Sequence, residues 1–119
     1  MTIESLQQIY REFVAEREWA PFHTPKNLAM ALTGEVGELV EIFQWLTPDE
    51  SVSVMADEDR ATQVRDELAD VLAYLIGLAE VLSVDLEQAF REKMIKNARK
   101  YPVETARGNA RKYTEAPGE

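Results

Sequence analysis

Residues 25–46 read PKNLAMALTGEVGELVEIFQWL, a mostly apolar stretch that opens on Pro25 and is followed by Pro48. Thr24, just before it, offers an N-cap oxygen, and Pro25 takes the first helical position, where a missing N–H costs nothing. Leu28, Met30, Leu32, Val36, Leu39, Val40, Ile42, Phe43 and Leu46 cover most of the circumference. A helix apolar on nearly all sides is buried on nearly all sides. A chain of 119 residues rarely achieves that by itself, so the stretch predicts a helix to about Leu46 in an oligomer.

Outward from this helix the punctuation is helical throughout. Thr2 caps a first helix whose Ile3, Leu6, Tyr10, Phe13 and Val14 recur at three- and four-residue steps. Residues 18–25, EWAPFHTP, carry two prolines and read as a loop. Pro48 ends the second helix, and Thr47 with Glu50 has capping-box spacing for a short extra turn. Residues 49–60 are polar and acidic and read as a connection. A third helix runs from about Asp59 to Leu82 on Val64, Leu68, Val71, Leu72, Leu75, Ile76 and Ala79. Asp85 and Gln88 suggest a second capping box. It opens a fourth helix that carries Leu86, Phe90, Met94 and Ala98 and stops near Tyr101 at Pro102. Residues 103–119 read as an irregular tail, and the echo of NARKYP at 97–102 in NARKYT at 109–114 is too short for a repeat architecture. With no strand of alternating polarity, the expected fold is all-α, a four-helix bundle over residues 1–102.

Composition narrows the chemistry. The chain has no cysteine, which excludes a disulfide framework, thiolate-bound metal and a thiol nucleophile. It has one histidine, which excludes a two-histidine site within one chain. No run approaches ~18 uninterrupted apolar residues, and the N-terminus lacks a basic-then-apolar segment, so a cytoplasmic protein without a membrane span or signal peptide is expected. Net charge is −9, unevenly spread: residues 1–90 carry five basic and eighteen acidic residues, residues 91–112 eight basic and two acidic. An acidic body does not bind duplex nucleic acid by general electrostatics, and a helix-turn-helix reader is a poor alternative. The basic segment suits a small polyanion, although lysine and arginine also collect at helix C-termini for the dipole's sake.

The acids carry the sharpest signal. The second helix holds Glu35-Val36-Gly37-Glu38 and the third Glu67-Leu68-Ala69-Asp70. Acids three apart on a helix sit about 60° apart and face one way, where like charges repel. In strongly apolar segments, and on consecutive helices able to pack antiparallel, two such pairs predict a divalent cation between them. Di-iron bundles need a Glu-x-x-His on the helix, and His23 lies in the loop, so Mg²⁺, or Mn²⁺, and hydrolysis are favoured over redox chemistry. Asn27 and Trp45 lie within about 20° of Glu38 around the helix. Gln63, Tyr74 and Gly77 lie near the direction of the third helix's acids, and Lys93, Lys96, Asn97 and Lys100 share a face of the fourth. Gly34 and Gly37 either leave room for a ligand or let helices approach closely. Trp19, Phe22 and His23 cluster in the loop, as a hydrophobic plug or as aromatics flanking a base.

EVGE at 35–38, a 28-residue gap, then ELAD at 67–70 resembles the paired E-x-x-E…E-x-x-D pattern of the MazG-like all-α nucleoside triphosphate pyrophosphatases. WAPFHTPKNLAMALTGEVGELVEIFQW at 19–45, DELADVLAYL at 66–75, KYP at 100–102 and ARGNARKYT at 106–114 are similar to the dCTP pyrophosphatase branch. The resemblance spans about Leu6 to Tyr113 and is poorest over 47–60. It implies Mg²⁺-dependent hydrolysis of a nucleoside triphosphate, dCTP or a modified dCTP, to the monophosphate and pyrophosphate. It makes Glu35, Glu38, Glu67 and Asp70 the metal ligands. It places Trp19, His23, Trp45 and Tyr74 in the nucleoside pocket, and Lys93, Asn97 and Tyr101 near the phosphates or the base. It implies homotetramers of tight dimers. Glu38 or Glu41, one turn on, would orient or deprotonate the attacking water, and Asn27 shares their face. The alternatives are a house-cleaning hydrolase for another noncanonical or dUTP-type nucleotide, and a non-enzymatic helical interaction module.

Overall fold

Each long helix starts where a side chain can take up its free N–H groups. The computed structural model describes residues 1–111, and among them there are helices and no strand. Helix α1, Ile3–Glu16, begins at a capping box: Ser5 N–H donates to Thr2 Oγ1 at 3.2 Å and Thr2 N–H to Ser5 Oγ at 3.3 Å. Helix α2, Pro25–Phe43, starts under Thr24, whose Oγ1 accepts from Asn27 N–H at 3.1 Å. The loop between them contains a 3₁₀ turn, Ala20–Phe22, closed by His23 N–H donating to Ala20 O at 3.1 Å. Helix α3, Pro48–Val52, has both halves of the expected box: Glu50 N–H to Thr47 Oγ1 at 3.2 Å and Thr47 N–H to Glu50 Oε1 at 2.8 Å. These bonds to Thr47 hold the Glu50 carboxyl below its ordinary pKa. Helix α4, Glu58–Val81, is capped by Asp57, whose Oδ1 accepts from Asp59 and Arg60 N–H.

The first compact unit is Met1–Val84. Its centre is α4, against which α1 and α2 both pack. Leu28, Val54, Ala61, Val64, Ile76 and Ala79 are its buried apolar residues. The polar and acidic connection expected over 49–60 also contains a buried residue, Val54: it sits in a second 3₁₀ turn, Val54–Ala56, and anchors the connection to α4. The near-complete burial expected of α2 is not met within one chain. Leu28 is its one buried residue, and Met30, Val36 and Val40 are exposed. On the far side, the Arg11 guanidinium grips Glu80 through Nε–Oε2 and Nη2–Oε1, both 2.9 Å, tying α1 to α4.

The second unit begins at Asp85. It holds α5, Leu86–Lys100, and a short helix α6, Val103–Ala106, within the stretch expected to be irregular. The remainder of that stretch, 112–119, lies outside the described residues. The box expected at Asp85 is half formed: Asp85 Oδ1 accepts from Gln88 N–H at 3.0 Å, but the Gln88 side chain turns to Glu92. Among the described residues no helix is long and apolar enough to cross a membrane.

Candidate active site

Helices α2 and α4 bring three of the four expected ligands together. Glu35, Glu38 and Glu67 each place a carboxylate oxygen within 4.8 Å of the others. Glu35 and Glu67 are half-buried, and Oε2 of each is buried without a hydrogen-bond partner. An ionised carboxylate accepts and cannot donate, so three of them cannot satisfy one another. The Glu35 carboxylate beside it, then desolvation, then the Glu38 carboxylate push the Glu67 carboxyl from its ordinary 4.5 up to about 7. A divalent cation relieves the same conflict without a proton. All-oxygen donors converging from two rigid helices suit a hard ion, so the residues present fit the expected metal. Asp70, one turn along α4 and exposed, is not part of this trio.

A cavity of about 310 Å³ opens beside the trio, lined by Glu38, Glu41, Ile42, Gln63 and Glu67. Both expected catalytic acids, Glu38 and Glu41, border it. Gln63 does too, a residue marked in the sequence only by the face it shares with the acids of α4. Within the described residues, nothing lies within 4 Å of where a Cβ would stand at Gly34 or Gly37, so close packing inside one chain does not explain either glycine. At Gly77 the reverse holds. A Cβ there would lie 2.7 Å from Tyr10 Cζ and closer to its hydroxyl, so this glycine seats an aromatic ring.

That ring belongs to an aromatic chain at the mouth of the loop. Tyr10 Oη lies 3.3 Å from His23 Nδ1, the two rings are nearly parallel at 6.5 Å, and Trp19 stands 6.1 Å from His23 on a tilted plane. Trp19 meets the Phe13 ring edge-on, and the Arg17 guanidinium lies 3.8 Å over Phe13. Asn27 is engaged locally, its Nδ2 donating to Phe22 O at 3.0 Å and holding the loop to α2. Tyr74 is half-buried and close enough to Tyr10 to help raise the phenol pKa, after burial and ahead of Glu80. Trp45, just past α2, is 85 % exposed. Lys93, Asn97 and Tyr101 belong to the second unit: Lys93 and Tyr101 are exposed, Asn97 is half-buried, and its carbonyl accepts from Tyr101 N–H at 2.9 Å. In the sequence Tyr10 shows only as one position of an apolar stripe. Its pairing with His23 joins residues thirteen apart on separate elements and carries no local signature.

Comparison with known proteins identifies the family. The MazG-like family profile matches residues 31–115. The chain is 49 % identical over 117 residues to dCTP pyrophosphatase 1 of Bos taurus, covering 98 % of this chain and 69 % of that protein. It is 47 % identical over 116 residues to dCTP pyrophosphatase 1 of Homo sapiens, covering 98 % and 68 %. The crystal structure of a pyrophosphatase from Archaeoglobus fulgidus superposes with a TM-score of 0.77 at 48 % identity, over 84 % of this chain and 92 % of that one. By sequence along nearly its whole length, and by fold, this chain belongs to the MazG-like family.

Proposed function

We propose that the protein hydrolyses dCTP, or a base-modified dCTP, to the monophosphate and pyrophosphate with Mg²⁺ (Mn²⁺ in its place), as a cytoplasmic enzyme of nucleotide-pool sanitation. That it is a nucleoside triphosphate pyrophosphatase rests on 49 % and 47 % identity, along 98 % of this chain, to the dCTP pyrophosphatases of cattle and humans. The observation that supports the metal-dependent chemistry is the trio Glu35, Glu38 and Glu67, with two buried, unpartnered carboxylate oxygens beside an open cavity.

Glu35, Glu38 and Glu67 would hold the cation, with Asp70 as the fourth carboxylate. Bound there, a divalent ion would polarise phosphoryl oxygens and offset the charge of the triphosphate. In the hydrolysis, water oxygen bonds to the α-phosphorus, the bond to the α–β bridging oxygen breaks, and pyrophosphate leaves. Glu41 borders the cavity without belonging to the trio, and is the proposed acceptor of the water's proton, with Glu38 as the other candidate. Trp19, His23, Asn27, Trp45 and Tyr74 are proposed as nucleoside contacts. Lys93, Asn97 and Tyr101 are proposed as phosphate or base contacts on the resemblance alone. The exposed Met30, Val36 and Val40 on α2 support a homo-oligomer, a dimer or a tetramer of tight dimers.

Pyrophosphate release from the normal nucleoside triphosphates, 5-methyl-dCTP and dUTP, with Mg²⁺ and with EDTA, tests the proposal. Mg²⁺-dependent release strongest for the cytosine deoxynucleotides is expected. Release strongest for another base would overturn the substrate assignment and keep the reaction. Release from none by folded protein would overturn the reaction.

A further inference from the structure

The Tyr10–His23 contact joins three elements. Tyr10 is on α1, His23 ends the 3₁₀ turn before α2, and Gly77, on α4, leaves the space that the Tyr10 ring fills. The ring is therefore held by a groove that no other residue at 77 would leave open, with its hydroxyl 3.3 Å from His23 Nδ1. His23 is confined as well, by Tyr10 on one flank, Trp19 on another, and its own N–H bonded to Ala20 O.

We propose that Tyr10 is a positioning residue. Its O–H donates to His23 Nδ1 and fixes the imidazole tautomer with the proton on Nε2, ready to donate to an acceptor oxygen of the nucleotide. A phenol is a better hydrogen-bond donor than acceptor, and the bare nitrogen of a neutral imidazole is a good acceptor, so the proton sits between them on the tyrosine side. Once Nδ1 is an acceptor, Nε2 carries the ring's proton. Burial, Tyr74 and Glu80 all raise the Tyr10 pKa, so the hydroxyl stays protonated and able to donate. The oxygen it serves is a base carbonyl or a phosphoryl oxygen. The proposal rests on the pyrophosphatase reading, in which His23 contacts substrate.

His23 is the chain's single histidine, so every imidazole nitrogen signal in the NMR spectrum belongs to it. Long-range ¹H–¹⁵N correlation on the full chain, at about pH 9 where an ordinary imidazole is neutral, reads the tautomer without nucleotide. The wild type should show Nε2–H alone. Tyr10→Phe keeps the ring over Gly77 and should give a mixed-tautomer pattern. Gly77→Ala, which displaces the hydroxyl without deleting it, should do the same. In the hydrolysis assay, Tyr10→Phe should raise KM about three- to tenfold with kcat little changed, the effect of one lost neutral hydrogen bond. An equal rise for every base assigns the oxygen to the phosphates, and a rise confined to the preferred base assigns it to the base carbonyl. An unchanged tautomer in Tyr10→Phe overturns the proposal, as does a changed tautomer with unchanged KM. In both cases the wild type still releases pyrophosphate, and its failure to do so would instead overturn the pyrophosphatase reading and this proposal together.

Discussion

The Tyr10 ring occupies the volume that a side chain at Gly77 would need, which locks α1 onto α4 through a single glycine. Gly77→Ala must push the ring out or part the helices. Overpacking of this kind costs about 1–3 kcal/mol, against which alanine's better helix propensity returns about 1 kcal/mol at most. Urea unfolding should give a lower midpoint for Gly77→Ala than for wild type, with an unchanged slope. An equal or higher midpoint would mean that Tyr10 relocates freely.

Glu67 links stability to pH and metal. Its folded pKa, about 7, lies above its ordinary 4.5, so the folded state holds a proton that the unfolded state gives up. The stability this confers is complete below about pH 4.5 and is lost as pH rises through 7. Metal-free protein should therefore melt at a lower temperature at pH 8 than at pH 6, and Mg²⁺ should restore more at pH 8, where no proton must leave first. Glu67→Gln removes a charge from the crowded trio. It should raise the metal-free melting temperature at pH 8 and abolish the response to Mg²⁺. Melting curves of both proteins at the two pH values, with and without Mg²⁺, check this.

Trp45 separates binding from folding. At 85 % exposure it contributes little to the fold of the single chain, and Trp45→Ala should leave its unfolding free energy within about 0.5 kcal/mol of wild type. As a base-stacking residue it should raise KM by the equivalent of about 1–3 kcal/mol. Steady-state kinetics beside denaturant unfolding distinguishes the two, and an unchanged KM would remove Trp45 from the pocket.

What was legible in the sequence follows from what is local. Thr2, Thr24 and Thr47 cap the helices they precede, because a capping bond needs only residues three apart. The acids were legible because i,i+3 spacing fixes their direction and the connection over 44–57 lets α2 pack against α4. Three features were not. Val54 looked like part of a polar connection because a single buried residue has no period. Gln88 prefers the Glu92 side chain over its own cap, a competition between neighbours that a capping-box pattern does not encode. The Tyr10 seat on Gly77 joins residues far apart in the chain and exists only once α1 and α4 have packed.

On the proposed mechanism the carboxylates of α2 and α4 work as one catalytic site. Glu38 belongs to the trio, borders the cavity and is exposed, so Glu38→Gln should fold normally by circular dichroism. Pyrophosphate release from dCTP in saturating Mg²⁺ should fall by about a hundredfold or more in this variant. Release at the wild-type rate would contradict the site.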